Sequence, residues 1–119
     1  MFKRILIIDD DIELSAELSE ILRDQGHAVD AILFKRETLH EFDPVKYDVI
    51  ILDFKMPDLT GMDILNAIPL SGSRPKVFLI SGKPFVEKFL ESGGLLNKVT
   101  EIIPKPFSIS DLLLKINTT

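Results

Sequence analysis

"YDVIILD", residues 47–53, decides the fold. From Val49 to Leu52 its side chains are apolar without interruption, and the run stops at a carboxylate. A strand with one solvated face alternates apolar and polar residues. A strand covered on both faces reads as a continuous apolar run. The same reading applies to "KRILIID" (3–9) and "KVFLIS" (76–81). These three segments are therefore expected to form the middle of a parallel sheet.

The segments between them have helical character. Leu14, Leu18, Ile21 and Leu22 recur at helical spacing within residues 12–24, and Gly26 stands where a C-terminal capping glycine belongs. "AVDAIL" (28–33) alternates and predicts a less buried second strand. Residues 35–42 predict a short, weak helix. Residues 62–68 predict another, ended by Pro69, and residues 84–91 a third, with Pro84 in its first turn. Residues 93–99 read as irregular. "EIIP" (101–104) reads as a short fifth strand. Ser108 and Asp111 then resemble a capping box, opening a last helix with Ile109, Leu112, Leu113 and Ile116 on one face.

This is a (βα)5 alternation, an α/β doubly wound domain over residues 1–119 with helices on both faces of a parallel sheet. The strand order expected for such a flavodoxin-like sheet is 2-1-3-4-5, which places strands one and three side by side. A length of 119 residues suits one domain. With no cysteine, a disulfide framework and a thiolate metal site are excluded, and a reducing, cytoplasmic compartment is expected. The start, "MFKRILIIDDD", meets three aspartates after four apolar residues and is not read as a signal peptide. No apolar stretch reaches the roughly 20 residues that span a bilayer. A net charge of −5 without a basic stripe disfavours direct nucleic-acid binding.

Ligands of open α/β sheets sit beyond the carboxyl ends of the strands. Strand one ends in Asp9, Asp10 and Asp11, strand three in Asp53, strand four in Ser81 and Gly82, and strand five leads to Lys105 and Pro106. Asp11 is expected to cap the first helix. Asp9, Asp10 and Asp53 would crowd together, and their repulsion would raise some of their pKa values unless a cation is present. Hard carboxylate oxygens with room for water suit Mg²⁺. With an ammonium and a hydroxyl added, the set describes a site for a phosphoryl group, whose transfer depends on positioning and charge neutralisation.

The chain resembles the receiver domain of two-component response regulators over nearly its whole length. The resemblance rests on "ILIIDDD", "DVIILDFKMPDLTGMDIL", "VFLISG" and "IIPKPFS", with the Asp-x-x-Met-Pro-Asp-x-x-Gly segment (53–61) the most specific piece. It implies that Asp53 accepts a phosphoryl group from a histidine kinase or a histidine phosphotransfer protein. It implies that Asp9 and Asp10 hold Mg²⁺ with Asp53 and the main-chain carbonyl of Lys55. Ser81 and Lys105 would contact the phosphoryl oxygens, with a cis Lys105–Pro106 peptide aiming the lysine inward. In such a domain the aspartyl phosphate later hydrolyses, and the domain is a switch rather than an enzyme in the usual sense. Its downstream effector is not specified by these residues.

Departures from the family pattern carry expectations of their own. Receivers usually place an aromatic residue three positions before the strand-five lysine, and Ile102 stands there. A β-branched aliphatic side chain cannot make the same swing. Gly82 stands where alanine is common and would leave the pocket more open. These features resemble the receivers attached to hybrid sensor kinases. The alternative function is an interaction module that keeps the fold without phosphorylation. A phosphatase of the aspartate-nucleophile type would need a second aspartate at position 55, where Lys55 stands, and an acidic first turn opposes flavin phosphate binding. Lys55 and Lys83 read as solvated side chains near the rim. His27 and His40 read as isolated histidines, and Asp43, Asp48, Asp58 and Asp63 as turn, cap and surface residues.

Overall fold

The computed structural model describes residues 2–55, 61–69, 72 and 74–119. Asp58 and the Met-Pro-Asp part of the quoted motif lie outside the described residues. The strands are β1 (Arg4–Ile8), β2 (Ala28–Ala31), β3 (Val49–Asp53), β4 (Lys76–Ser81) and β5 (Glu101–Pro104). All pairings are parallel, in the order β2-β1-β3-β4-β5. The α-helices are α1 (Ile12–Asp24), α2 (Gly61–Asn66), α3 (Val86–Ser92) and α4 (Ile109–Asn117).

The continuous apolar runs became the central strands because both their faces are covered. Leu6, Ile8, Ile50, Leu52, Val77 and Leu79 pack toward α2, α3 and the segment from Phe34 to Tyr47. Ile5, Ile7, Val49, Ile51, Phe78 and Ile80 pack toward α1 and α4, meeting Leu18, Leu22, Leu112 and Ile116. Each such side chain contributes about 1.5–3 kcal/mol when fully buried. Every residue of β3 is buried, Asp53 included.

The expected helix over 35–42 is not formed. The chain makes two 3-10 turns instead, Leu39–Glu41 and Pro44–Lys46. The Thr38 hydroxyl accepts the Lys35 N–H at 2.9 Å, which draws that amide away from a helical ladder. Pro44 lacks the N–H a longer helix would need. The Phe34 and Phe42 rings meet edge to face at 5.4 Å and fill the layer where a helix would lie. The second strand is also shorter than expected, ending at Ala31. The segment expected to be helical from residue 84 starts at Val86, because Phe85 adopts φ +66.

The helix termini follow the expected chemistry. Asp11 caps α1 by accepting the Leu14 N–H at 3.1 Å, and Ser108 caps α4 by accepting from Asp111. Gly26, at φ +93, closes α1 with Gly26 N–H to Arg23 and His27 N–H to Leu22, the double bond pattern of a left-handed cap. Pro104 lies on edge strand β5. The Lys105 N–H donates to the Ser81 carbonyl, so the alternating pattern turns the nitrogen of Pro104 away from β4.

His27 has a structural place. It is buried, its Nδ1 accepts the Lys3 N–H at 3.1 Å, and its Nε2 lies 2.9 Å from Asn117 Oδ1. A nitrogen that accepts a backbone N–H is unprotonated, so Nε2 carries the hydrogen and donates to Asn117. Asn117 in turn donates to Gln25 Oε1 at 3.0 Å. His27→Ala leaves a buried amide and a cavity, and lowers folding stability by about 2–4 kcal/mol in urea unfolding. Asn117→Ala, at the exposed end of the same chain of bonds, costs about 1 kcal/mol in the same measurement.

Candidate functional site

Four loops at the carboxyl edge of the sheet bring the predicted site residues together. Asp9 and Asp10 follow β1, Asp53 ends β3, Ser81 ends β4, and Lys105 follows β5. One carboxylate oxygen from each of Asp9, Asp10 and Asp53 lies within 4.8 Å of the others. Asp10 is exposed, whereas Asp9 and Asp53 are buried, Asp53 to 3% relative exposure. Lys105 Nζ lies 3.3 Å from Asp53 Oδ1, with the Lys105–Pro106 peptide cis. Among the described residues, Lys105 is the cation paired with Asp53.

Burial explains the electrostatics better than repulsion does. The Asp9 carboxyl is pushed from its ordinary 3.8 up to about 6, chiefly by desolvation, while the Asp11 N–H bonded to it at 2.9 Å pulls the other way. The charge of Asp53 adds to the rise. Asp53 is also raised, again first by burial. Lys105 opposes this by charge and hydrogen bond, the Lys55 N–H opposes it, and Asp10 adds to it. The expected mutual repulsion is present, but it ranks below the loss of water.

Such a set fits a hard divalent cation. Two buried, electrically costly carboxylates and one exposed carboxylate converge, and the exposed one leaves room for water. The residues that would hold it are Asp9, Asp10 and Asp53. The contact of Lys55 seen here is its amide, donated to Asp53, and its carbonyl role remains the expectation stated above.

Ser81 is buried, and its Oγ accepts the Lys83 N–H at 3.0 Å. The sequence did not signal this bond, which fixes the hydroxyl beside the rim. Gly82 lies against the Lys105 stem. A Cβ built there would meet Lys105 Cβ at 3.7 Å and Cδ at 3.9 Å, ordinary contact distances. Ile102 is half-buried and packs against the α2–α3 side of the core.

The glycine of the quoted motif has a physical reason. The Gly61 N–H donates to the Phe54 carbonyl at 2.7 Å, drawing α2 onto the residue beside Asp53. A Cβ on Gly61 would fall 2.9 Å from the Phe54 Cα. The ring of Phe54 meets Phe89 of α3 edge to face at 6.5 Å, a link from the end of β3 to α3 that sequence spacing does not reveal.

The fold is a doubly wound α/β domain with an acidic cluster and a lysine at one edge of its sheet, and the comparisons give its family. Residues 5–117 match the response regulator receiver domain family, and the chain belongs to it. It is 30% identical to the probable transcriptional regulatory protein SilR of Salmonella typhimurium over 115 residues, covering 97% of this chain and 50% of SilR. It is 24% identical to the two-component response regulator PhoP of Pseudomonas aeruginosa, over 96% of this chain and 50% of PhoP. The chain thus spans about half the length of these curated relatives. Among solved structures it resembles the non-phosphorylated HemR receiver domain of Leptospira biflexa, with TM-score 0.79 and 25% identity over 97% of this chain and 91% of that one. The chemotaxis regulator CheY4 of Vibrio cholerae gives TM-score 0.78 and 26% identity over 99% and 98%. TrrA of Thermotoga maritima, solved with Mg²⁺ and a beryllium fluoride, gives 0.73 and 26% over 98% and 97%. The likeness to kinase-attached receivers rests on the sequence departures alone.

Two predictions follow from the geometry. Gly61→Ala forces the β3–α2 connection apart and lowers stability by about 1–3 kcal/mol, whereas Gly82→Ala, which meets nothing closer than 3.7 Å, is neutral or stabilises by about 0.4–1 kcal/mol. Chemical denaturation of both variants checks the contrast. The second concerns Asp9. Its folded pKa of about 6 lies above the ordinary 3.8, so its contribution to stability is present below pH 4 and lost as pH rises through 6. Asp9→Asn keeps the acceptor for the Asp11 N–H and removes the buried charge. In chelator-treated protein the variant is more stable by about 1–2 kcal/mol at pH 7.5 and matches the parent at pH 4, as read from thermal unfolding.

Proposed function

We propose that this chain, as a receiver domain over residues 1–119, is a phosphorylation-controlled switch that takes a phosphoryl group from a phosphohistidine onto Asp53. The observation that carries the reading is the Lys105–Asp53 pair at 3.3 Å, set within reach of two further carboxylates. One oxygen of Asp53 attacks phosphorus as the phosphorus–nitrogen bond of the donor breaks, and its electron pair returns to the imidazole. Lys105 then holds a phosphoryl oxygen, and the Ser81 hydroxyl hydrogen-bonds another. Asp9, Asp10, Asp53 and the Lys55 carbonyl would hold Mg²⁺, and the ion would supply positive charge against that building on the transferred group. In the return step water attacks phosphorus and Asp53 departs as a free carboxylate. This self-dephosphorylation makes the signal transient.

The donor is a histidine kinase or a histidine phosphotransfer protein, and the setting is cytoplasmic. No described helix is long and apolar enough to cross a membrane. The curated relatives are transcriptional regulators of about twice the matched length, so a phosphorylation-dependent partner contact is the output class. A second reading, a phosphorylation-independent interaction module, is favoured by Ile102, whose half-buried aliphatic side chain has no aromatic swing.

Incubation with acetyl phosphate and Mg²⁺, followed by intact mass, separates the two. The switch gives one phosphoryl adduct on the wild type and none on Asp53→Asn. An unmodified wild type would favour the interaction module, and an adduct surviving in Asp53→Asn would move the acceptor elsewhere.

A further inference from the structure

A concave pocket lies at the opposite edge of the sheet from Asp53. It opens between the start of β4 and the approach to β5, and has a volume of about 220 Å³. Lys76 and Ser81 begin and end β4, so the pocket and the carboxylate cluster stand about 17 Å apart along the strand. Arg74, Lys76 and Lys98 line it, with the amide of Asn97 and the hydroxyl-bearing Thr100 between them. Among the described residues that line it there is no carboxylate.

Two acids adjoin the pocket lining through the backbone, Asp48, whose carbonyl accepts the Lys76 N–H, and Glu101, which follows Thr100. Asp48 pairs with Arg4 through its carboxylate, and Glu101 pairs with Lys115. Among the described residues, no ion pair includes Arg74, Lys76 or Lys98. The pocket is partly preorganised. Lys98 Nζ donates to the Leu65 carbonyl at 2.9 Å, which anchors its ammonium and leaves further donor hydrogens free. Thr100 Oγ accepts the Val77 N–H at 3.0 Å, so its own hydrogen remains available to a ligand. One fixed ammonium, two adjustable cations and neutral donors together match a tetrahedral oxyanion carrying more than one charge. The volume admits one such group and part of its carrier, and is below the range that encloses a drug-sized molecule.

We propose that this basic pocket binds a phosphate group, at a site separate from the Asp53 cluster. The site places a second anion-responsive surface on the domain, joined to the phosphoacceptor edge by β4 itself.

The test is an amide NMR titration of the isotopically labelled full chain with inorganic phosphate. Divalent metal is omitted and ionic strength is held constant with sodium chloride. Saturable shifts are expected at Lys76, Asn97, Lys98 and Thr100, with a dissociation constant of about 1–10 mM. The double variant Arg74→Gln, Lys76→Gln weakens binding at least tenfold, while its acetyl phosphate labelling at Asp53 and the rest of its spectrum match the parent. Phenyl phosphate, titrated in parallel, distinguishes the source. Tighter binding than inorganic phosphate points to phosphate on a larger carrier, and equal or weaker binding to the free ion. Shifts that grow linearly without saturation, that are unchanged in the double variant, or that appear only around Asp9 and Asp53 would overturn the site.

Discussion

A carboxylate closes the most deeply buried strand of this protein, and one lysine answers it. Asp53 ends a strand whose residues are all buried, so its charge has lost most of its water. Lys105 reaches it at 3.3 Å from across the sheet, past β4. The placement of the remaining parts follows from that constraint. β5 must run far enough to deliver the lysine, Ser81 must end β4 beside it, and the first acidic turn must follow β1 at the neighbouring position. The doubly wound order brings all of these to one edge without any of them being close in sequence. Loss of water at Asp9 and Asp53 holds the site in electrical tension that a cation would relieve.

Much of this was legible in the residues themselves. Runs such as Val49–Leu52 could not serve as half-exposed strands, so the parallel sheet and its central members followed. The strand-end residues Asp9, Asp10, Asp53, Ser81 and Lys105 then fell at one edge by topology alone. Local chemistry was equally readable at Asp11, Ser108 and Gly26, because a cap needs only its immediate neighbours. The short, weak helix expected over 35–42 does not form. That segment's structure is decided by long-range packing of Phe34 and Phe42 and by a hydroxyl competing for one amide. Tertiary packing overrode a weak local preference there.

The electrostatic reading was right in direction and incomplete in cause. Adjacent acids suggest repulsion, but depth of burial is a property of the whole fold and cannot be counted from spacing. The same limit applies to contacts between elements. The Ser81–Lys83 bond joins near neighbours, and the Phe54–Phe89 contact joins distant ones. Gly61 shows the converse: the sequence marked it as important, and only the close approach of the Phe54 backbone explains why no side chain fits.

The bonds around His27 bear on how the molecule comes apart. Domains commonly open in parts before they unfold as a whole. Here the last turn of α4 is linked through Asn117 and His27 to the amide of Lys3, just ahead of β1, and through Gln25 to the end of α1. Releasing the final helix therefore also strips a partner from the first strand. The last turn of α4 and the start of β1 are therefore expected to open together, with shared protection of their amides against solvent exchange.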